Sequence, residues 1–338
     1  MPLVSFCFTT FKRGNILKST LESIKRQTFL DYEVIVSDND PDCSGRSVVE
    51  EMQDERFKYF PNGANLGMKP SFNKSLERSN GEFIVMIADD DPVYHDMLET
   101  LVRLQKDYPG YGLYMGGSDW YCTDPKVAKL YKINVGTNSW LSNEHEVNFV
   151  QAFSPFDFLK RFFTFKIFSS YLWSTCMVKK EVLVQMGGVP DYGTPFLGDY
   201  AYLSLMGSHS GCVVINKSLG CQTIHLENFG RNQNEQIATA ARNFPAYLSQ
   251  RMSALPEREN IKEYILSFVG LWVVSHLSFL HNYFKSEKVK ADTLSQAEKE
   301  VFAINFMKKY RFKYELKKRS PALHDQLVLL KKRLKGKY

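Results

Sequence analysis

The chain has 338 residues, of which 44% are hydrophobic and 24% charged, with a formal net charge of +6. That balance is ordinary for a globular protein able to bury a sizeable core in one large domain or two. Six cysteines, at positions 7, 43, 122, 176, 212 and 221, show no C-x-x-C pairing or metal-ligand spacing; this argues against a disulfide scaffold or a zinc module and fits reduced thiols in the cytosol.

Taken in order, Leu3-Val-Ser-Phe-Cys-Phe-Thr9 predicts a strand that ends in the polar pair Thr9-Thr10. No basic segment and signal-like apolar run precedes it, so secretion is not expected. Ile16, Leu17, Leu21 and Ile24 follow at helix spacing. Tyr32-Glu-Val-Ile-Val-Ser-Asp38 is a second strand, stopped by Asp38-Asn39-Asp40-Pro41, and Phe72 with Leu76 marks a helix begun by Pro70. The apolar run Phe83-Ile-Val-Met-Ile-Ala88 then delivers Asp89-Asp90-Asp91, closed by Pro92. Strands alternating with helices predict a parallel sheet with right-handed crossovers. In such a sheet the carboxyl ends share one edge, so Thr9, Asp38 and Asp89 to Asp91 should meet in one crevice, where ligands of open α/β sheets bind. Three adjacent carboxylates repel, and a divalent cation, Mn²⁺ or Mg²⁺, is expected among them, completed by water and substrate phosphates. The turn Thr10-Phe-Lys-Arg-Gly-Asn15 lacks G-x-G-x-x-G, and no G-x-x-x-x-G-K-[ST] occurs. A nucleotide diphosphate held through the metal, with Asp38 bonding the base or ribose, uses the residues present.

These landmarks resemble the family 2 glycosyltransferases. The matching order is Thr9-Thr10, Gln27-Thr28-Phe29 before the second strand, Asn65-Leu-Gly67 with Asn73, Gly81-Glu-Phe-Ile, the acidic cluster, Lys179-Lys-Glu-Val-Leu, Gly187-Gly188 and Gly198-Asp199-Tyr200. The resemblance covers about the first 225 residues. It implies a GT-A fold, an α/β Rossmann-like domain over residues 1–230, leaving 231–338 as a mainly helical extension that is basic at its end. It implies an inverting, metal-dependent enzyme that moves one sugar from a nucleotide diphosphate donor, a UDP-sugar by default, to a glycan or lipid-linked glycan acceptor in surface polysaccharide synthesis. The Q-x-x-R-W motif of processive relatives is absent. A nucleotidyltransferase and a non-catalytic sugar-nucleotide-binding scaffold are the alternatives.

The resemblance places the catalytic base on Asp199, which by itself also reads as the N-cap of a helix over Tyr200 to Met206. It places metal and ribose contacts on Asp90 and Asp91 with Asp89 as a further ligand; many relatives have Asp where this chain has Ala88. The expected metal set is Asp89, Asp91 and His225, the last ending the strand-like Cys221-Gln-Thr-Ile-His225. The expected donor-binding set is Thr9, Asp38, Lys69, Asp90 and Arg231, the arginine as a diphosphate clamp. Asn65 and Gly67 are expected to shape their loop.

Phe153 to Trp173 contains nine aromatic residues; most should pack a core, with Trp173 a candidate sugar platform. Tyr264 to Phe284 lacks any Asp, Glu, Lys or Arg, but Ser267, Ser275, His276, Ser278, His281 and Asn282 suit a helix covered by the α/β domain or a second subunit better than a membrane span. From Lys308 to Tyr338 twelve Lys or Arg face Glu315 and Asp325. Leu323, Leu327, Leu330 and Leu334 mark a stripe beside Lys331-Lys-Arg333, a pattern that suits docking on an anionic membrane surface. Nucleic-acid motifs are absent, so no nucleic-acid partner is expected.

Overall fold

The computed structural model describes residues 1–139, 147–168, 171–225, 234–283, 288–320, 323, 326 and 327. Met1–Ala128, Ile133–Asp191 and Leu197–His225 form one compact unit; Lys129–Lys132, Tyr192–Phe196 and the described residues beyond Leu226 form another.

The first unit begins with β1 (Val4–Thr10), α1 (Gly14–Lys25), β2 (Tyr32–Asp38), α2 (Arg46–Glu50), β3 (Phe57–Pro61), α3 (Met68–Arg78), β4 (Phe83–Ile87), α4 (Met97–Asp107) and β5 (Leu113–Cys122). After α5 (Pro125–Tyr131) come β6 (Gly136–Asn138), β7 (Val150–Phe153), α6 (Pro155–Phe163), β8 (Cys176–Lys179), α7 (Lys180–Gln185), α8 (Gly198–Ser210) and β9 (Cys212–Ile224). The strands form one sheet in the order β3-β2-β1-β4-β8-β5-β9-β7, with β6 on β5. β1, β2 and β4 are buried along their whole length apart from Thr9, as strands in the interior of a sheet covered on both faces are.

The sheet is mixed, which corrects the parallel expectation. β1 to β4 are parallel, but β8 runs antiparallel between β4 and β5. The chain reaches β8 through the turn Trp173–Thr175 at the carboxyl edge and can only run back down. That entry sets Ser174 beside the acidic strand end.

The second unit is helical: α9 (Ile237–Arg251), α10 (Arg258–Tyr283), α11 (Lys288–Ala303) and α12 (Arg311–Arg319). Ile261, Ile265, Phe268, Val269, Val273, Leu277 and Leu280 of α10 are buried at helical spacing. By length and composition Arg258–Asn282 could cross a membrane, yet half of its apolar window is buried within the fold. Ser278 Oγ donates to the Val274 carbonyl at 2.6 Å and Asn282 Nδ2 to the Ser278 carbonyl at 3.0 Å. These polar groups are therefore satisfied inside the helix. Tyr314 of α12 is fully buried against Phe302, with its hydroxyl on Glu298. Phe312 is 79% exposed. Leu323 and Leu327 are exposed as well, whereas Leu330, Leu334 and Lys331 to Arg333 lie outside the described residues.

Candidate active site

Helix α1 ties down the acidic loop after β4. Thr20 Oγ1 donates to the Asp89 carbonyl at 2.9 Å, and Ser23 Oγ accepts from the Val93 amide at 3.0 Å. The Gln27 side chain, just past the helix, donates to the Tyr94 carbonyl at 2.6 Å and accepts from the Leu98 amide at 2.9 Å. The loop backbone is thus held by polar groups from a neighbouring crossover, and its three carboxylates project from a fixed frame.

Each carboxylate has different surroundings. Asp89 accepts from Thr10 Oγ1 at 3.0 Å and from Arg13 Nη1 at 2.6 Å. Asp90 Oδ2 is 2.8 Å from Arg13 Nη2 and 3.2 Å from His225 Nε2. The same Arg13 Nη2 lies 3.3 Å from the His225 nitrogen. Asp91 instead accepts from Ser174 Oγ and from the Thr223 amide, both at 3.2 Å. Burial pushes the Asp89 carboxyl up to about 6, against the opposing charge of Arg13. Burial also raises Asp90, but the hydrogen bond from His225 and the Arg13 guanidinium together hold it below its ordinary value. Asp91 is raised well above the usual range by burial and by the charge of Asp90.

Asp199 stands in the first turn of α8, a helix that begins at Gly198 rather than Tyr200 and follows Leu197 in the left-handed conformation at φ 63°. Burial pushes its pKa up to about 7; its own amide and that of Trp173 lower it and Asp90 raises it further. Asp199 also raises Asp91, so the structure brings the expected base and the acidic strand end into one electrostatic neighbourhood.

The remaining expected residues sit as follows. Thr9 donates to Ser71 Oγ at 2.5 Å. Asp38 is fully buried and shapes its own loop: it accepts from the Asp40 amide at 2.8 Å, the Gly45 amide at 2.9 Å and the Tyr59 hydroxyl at 2.8 Å. Lys69 is buried and reaches Asp191 at 2.9 Å. Gly67 has φ 83°, and its amide donates to Asn65 Oδ1 at 2.9 Å, the loop-shaping role expected of both. Arg231 lies outside the described residues. Trp173 is not a platform. Its ring is buried between Phe72 and Tyr202, edge-on to both with centroids at 4.9 and 5.6 Å, and presents no open face to a sugar.

Among the described residues no three His, Cys, Asp or Glu side chains converge as a metal-binding group. Of the expected metal set, Asp89 bonds Thr10 and Arg13 and Asp91 bonds Ser174 and Thr223; the carboxylate beside the His225 imidazole is that of Asp90, expected among the donor contacts, with a guanidinium nitrogen seated against both. An oxygen and an imidazole nitrogen at this spacing suit a divalent ion that takes its other ligands from water and phosphate. The sequence reading missed Arg13, Ser174 and Thr223. Only Arg13 carried a legible signal, its place in the turn that follows the first strand.

The family model for glycosyl transferase family 2 matches residues 5–185. Over 175 residues, 51% of this chain and 52% of the relative, the sequence is 34% identical to a GalNAc(5)-diNAcBac-PP-undecaprenol beta-1,3-glucosyltransferase of Campylobacter jejuni. The chain spans about half the length of the curated relatives it matches. S. aureus TarS 1-349 in complex with UDP-GlcNAc superposes with a TM-score of 0.55 at 14% identity, covering 95% of this chain and 92% of that one. The mannosyltransferase PcManGT of Pyrobaculum calidifontis, in complex with GDP-Man and Mn2+, gives 0.54 at 15% identity, covering 95% and 88%. At such identities the likeness concerns the fold, which is the GT-A fold with a helical C-terminal region. With its mixed sheet, its acidic strand end and a family match over more than half its length, the chain belongs to glycosyl transferase family 2.

Proposed function

We propose that the protein is an inverting glycosyltransferase that transfers a single sugar from a UDP-sugar to a lipid-linked glycan in surface polysaccharide synthesis. The observation that carries this reading is that Asp199, in the first turn of α8, shares its surroundings with Asp90 and Asp91 of the acidic strand end. A carboxylate tuned near neutrality is suited to take a proton from an acceptor hydroxyl as that oxygen attacks the anomeric carbon. The nucleotide diphosphate leaves from the opposite face, and the configuration inverts. Asp90 and His225 are the residues that would hold a divalent ion, and a bound ion supplies Lewis-acid stabilisation of the leaving diphosphate. Asp91, engaged by Ser174 and Thr223, keeps the loop end in place. The undecaprenol-linked substrate in the name of the Campylobacter relative supports the acceptor class, and the UDP-GlcNAc complex of a structural neighbour supports the donor class.

A lipid-linked acceptor would bring the enzyme to the cytoplasmic face of the membrane. Lys308, Lys309 and Arg311 are exposed around Phe312. This cluster suits an anionic bilayer, with the ring entering the headgroup region and the cations facing phosphate.

A thermal-shift screen of nucleotide sugars with and without Mn²⁺, followed by identification of the released nucleotide, tests the function. A UDP-sugar that raises the melting temperature and releases UDP supports transfer. Release of pyrophosphate instead identifies a nucleotidyltransferase, and binding without turnover on any acceptor identifies a scaffold.

A further inference from the structure

We propose that Arg13 is the resident counter-cation of the acidic strand end and competes with the divalent ion, so that metal loading between Asp90 and His225 displaces its guanidinium. This rests on the metal reading of the proposed function.

The guanidinium forks across two adjacent carboxylates, with Nη1 at 2.6 Å from Asp89 Oδ1 and Nη2 at 2.8 Å from Asp90 Oδ2. The second nitrogen also touches His225 Nε2 at 3.3 Å. An ion bound at about 2.1 Å to both the Asp90 oxygen and the His225 nitrogen cannot stand further than about 4 Å from Nη2 in its present position. On the near side it would overlap that nitrogen, and on the far side two positive charges would share one carboxylate oxygen. Overlap on one side and charge repulsion on the other both set the ion against the guanidinium.

Arg13 sits at the N-cap of α1, in the loop after β1, and its side chain is 31% exposed while those of Asp89 and Asp90 are 6% and 13% exposed. The carboxylates are fixed in the loop frame, and the arginine is the more exposed partner of each pair. Without a cation, the Asp89 and Asp90 carboxylates would face one another uncompensated, and Arg13 supplies the opposing charge. A nucleotide diphosphate brings the negative charge needed to accommodate both cations. Metal should therefore bind weakly alone and much more tightly together with nucleotide.

Mn²⁺ titration of the full chain, by calorimetry and by electron paramagnetic resonance, with and without UDP, tests this on the wild type, R13Q and R13K. R13Q is expected to bind Mn²⁺ alone at least tenfold more tightly than the wild type, to lose most of the affinity gain that UDP confers, and to melt lower in EDTA with a larger rise on adding Mn²⁺. R13K keeps the charge but loses the fork and should fall between the two; it carries the decision if R13Q does not fold. Mn²⁺ affinity of the deciding variant equal to or weaker than that of the wild type overturns the competition. Failure of every form to bind Mn²⁺, with or without UDP, overturns the metal reading itself and the inference with it.

Discussion

Replacing Asp199 by Asn separates catalysis from architecture, because the amide keeps the shape of the side chain while losing its charge and basicity. Burial raises the folded pKa from 3.8 to about 7, so the folded state holds the proton more tightly than the unfolded chain. The contribution of Asp199 to stability is therefore fully present below pH 3.8 and is lost as pH rises through about 7. At about 1.4 kcal/mol per pKa unit the ionised group at pH 8 costs at most about 4 kcal/mol, an upper bound because the residue is only partly buried from solvent. Asp199→Asn should thus gain stability at pH 8, by an amount that shrinks as pH falls toward 4. Turnover should move the other way. The wild-type rate should drop about tenfold for each pH unit below 7 as the base is protonated, and the variant should be about 10² to 10⁴ slower and lack that limb. Nucleotide release over pH 5 to 9 and urea denaturation at pH 5 and 8 measure both. A near wild-type rate would refute the assignment and leave Asp199 as an acidic residue of the first turn of α8.

Asp90→Asn and His225→Ala should each weaken Mn²⁺-dependent UDP binding about tenfold or more while leaving metal-free binding unchanged; calorimetry with and without Mn²⁺ checks this, and unchanged affinity in both removes the pair from the metal reading. Gly188→Ala should cost about 2–4 kcal/mol, because at φ 79° its Cβ would lie 2.4 Å from Asn73 Oδ1, the atom that accepts the Val189 amide; a urea midpoint shift worth less than about 0.5 kcal/mol would contradict the packing. The triple variant K308E/K309E/R311E should lose about 100-fold in binding to phosphatidylglycerol vesicles at low salt, at about 1 kcal/mol per basic group; co-sedimentation equal to wild type and insensitive to salt would reject the docking surface. Charge reversal is the cleaner probe than removing the segment from Lys308, because Tyr314 is buried and the Tyr310 ring packs on Gly270.

Much of the site could be read from the chain alone, since strand ends and turn residues are local signals. The runs ending at Thr10, Asp38 and Ile87 announce themselves by mostly apolar residues that give way to polar ones. Parallel pairing of β1 with β2 and β4 then carries their ends to one edge. The stretch of α10 without charged side chains and the basic end of the chain were equally plain. Three things depended on tertiary structure. β8 enters antiparallel between β4 and β5, because a four-residue strand takes its direction from where the chain arrives, which no periodicity records. Trp173 turns its ring inward; aromatic content measures how much surface is to be buried but not which way a ring points. Arg13 meets Asp89 and Asp90 across more than 70 residues of sequence, and His225 meets Asp90 across 135. The hydrophobic pattern determines which segments form the sheet, whereas the charge balance at its edge is decided by side chains that only the folded backbone brings into hydrogen-bonding distance of one another.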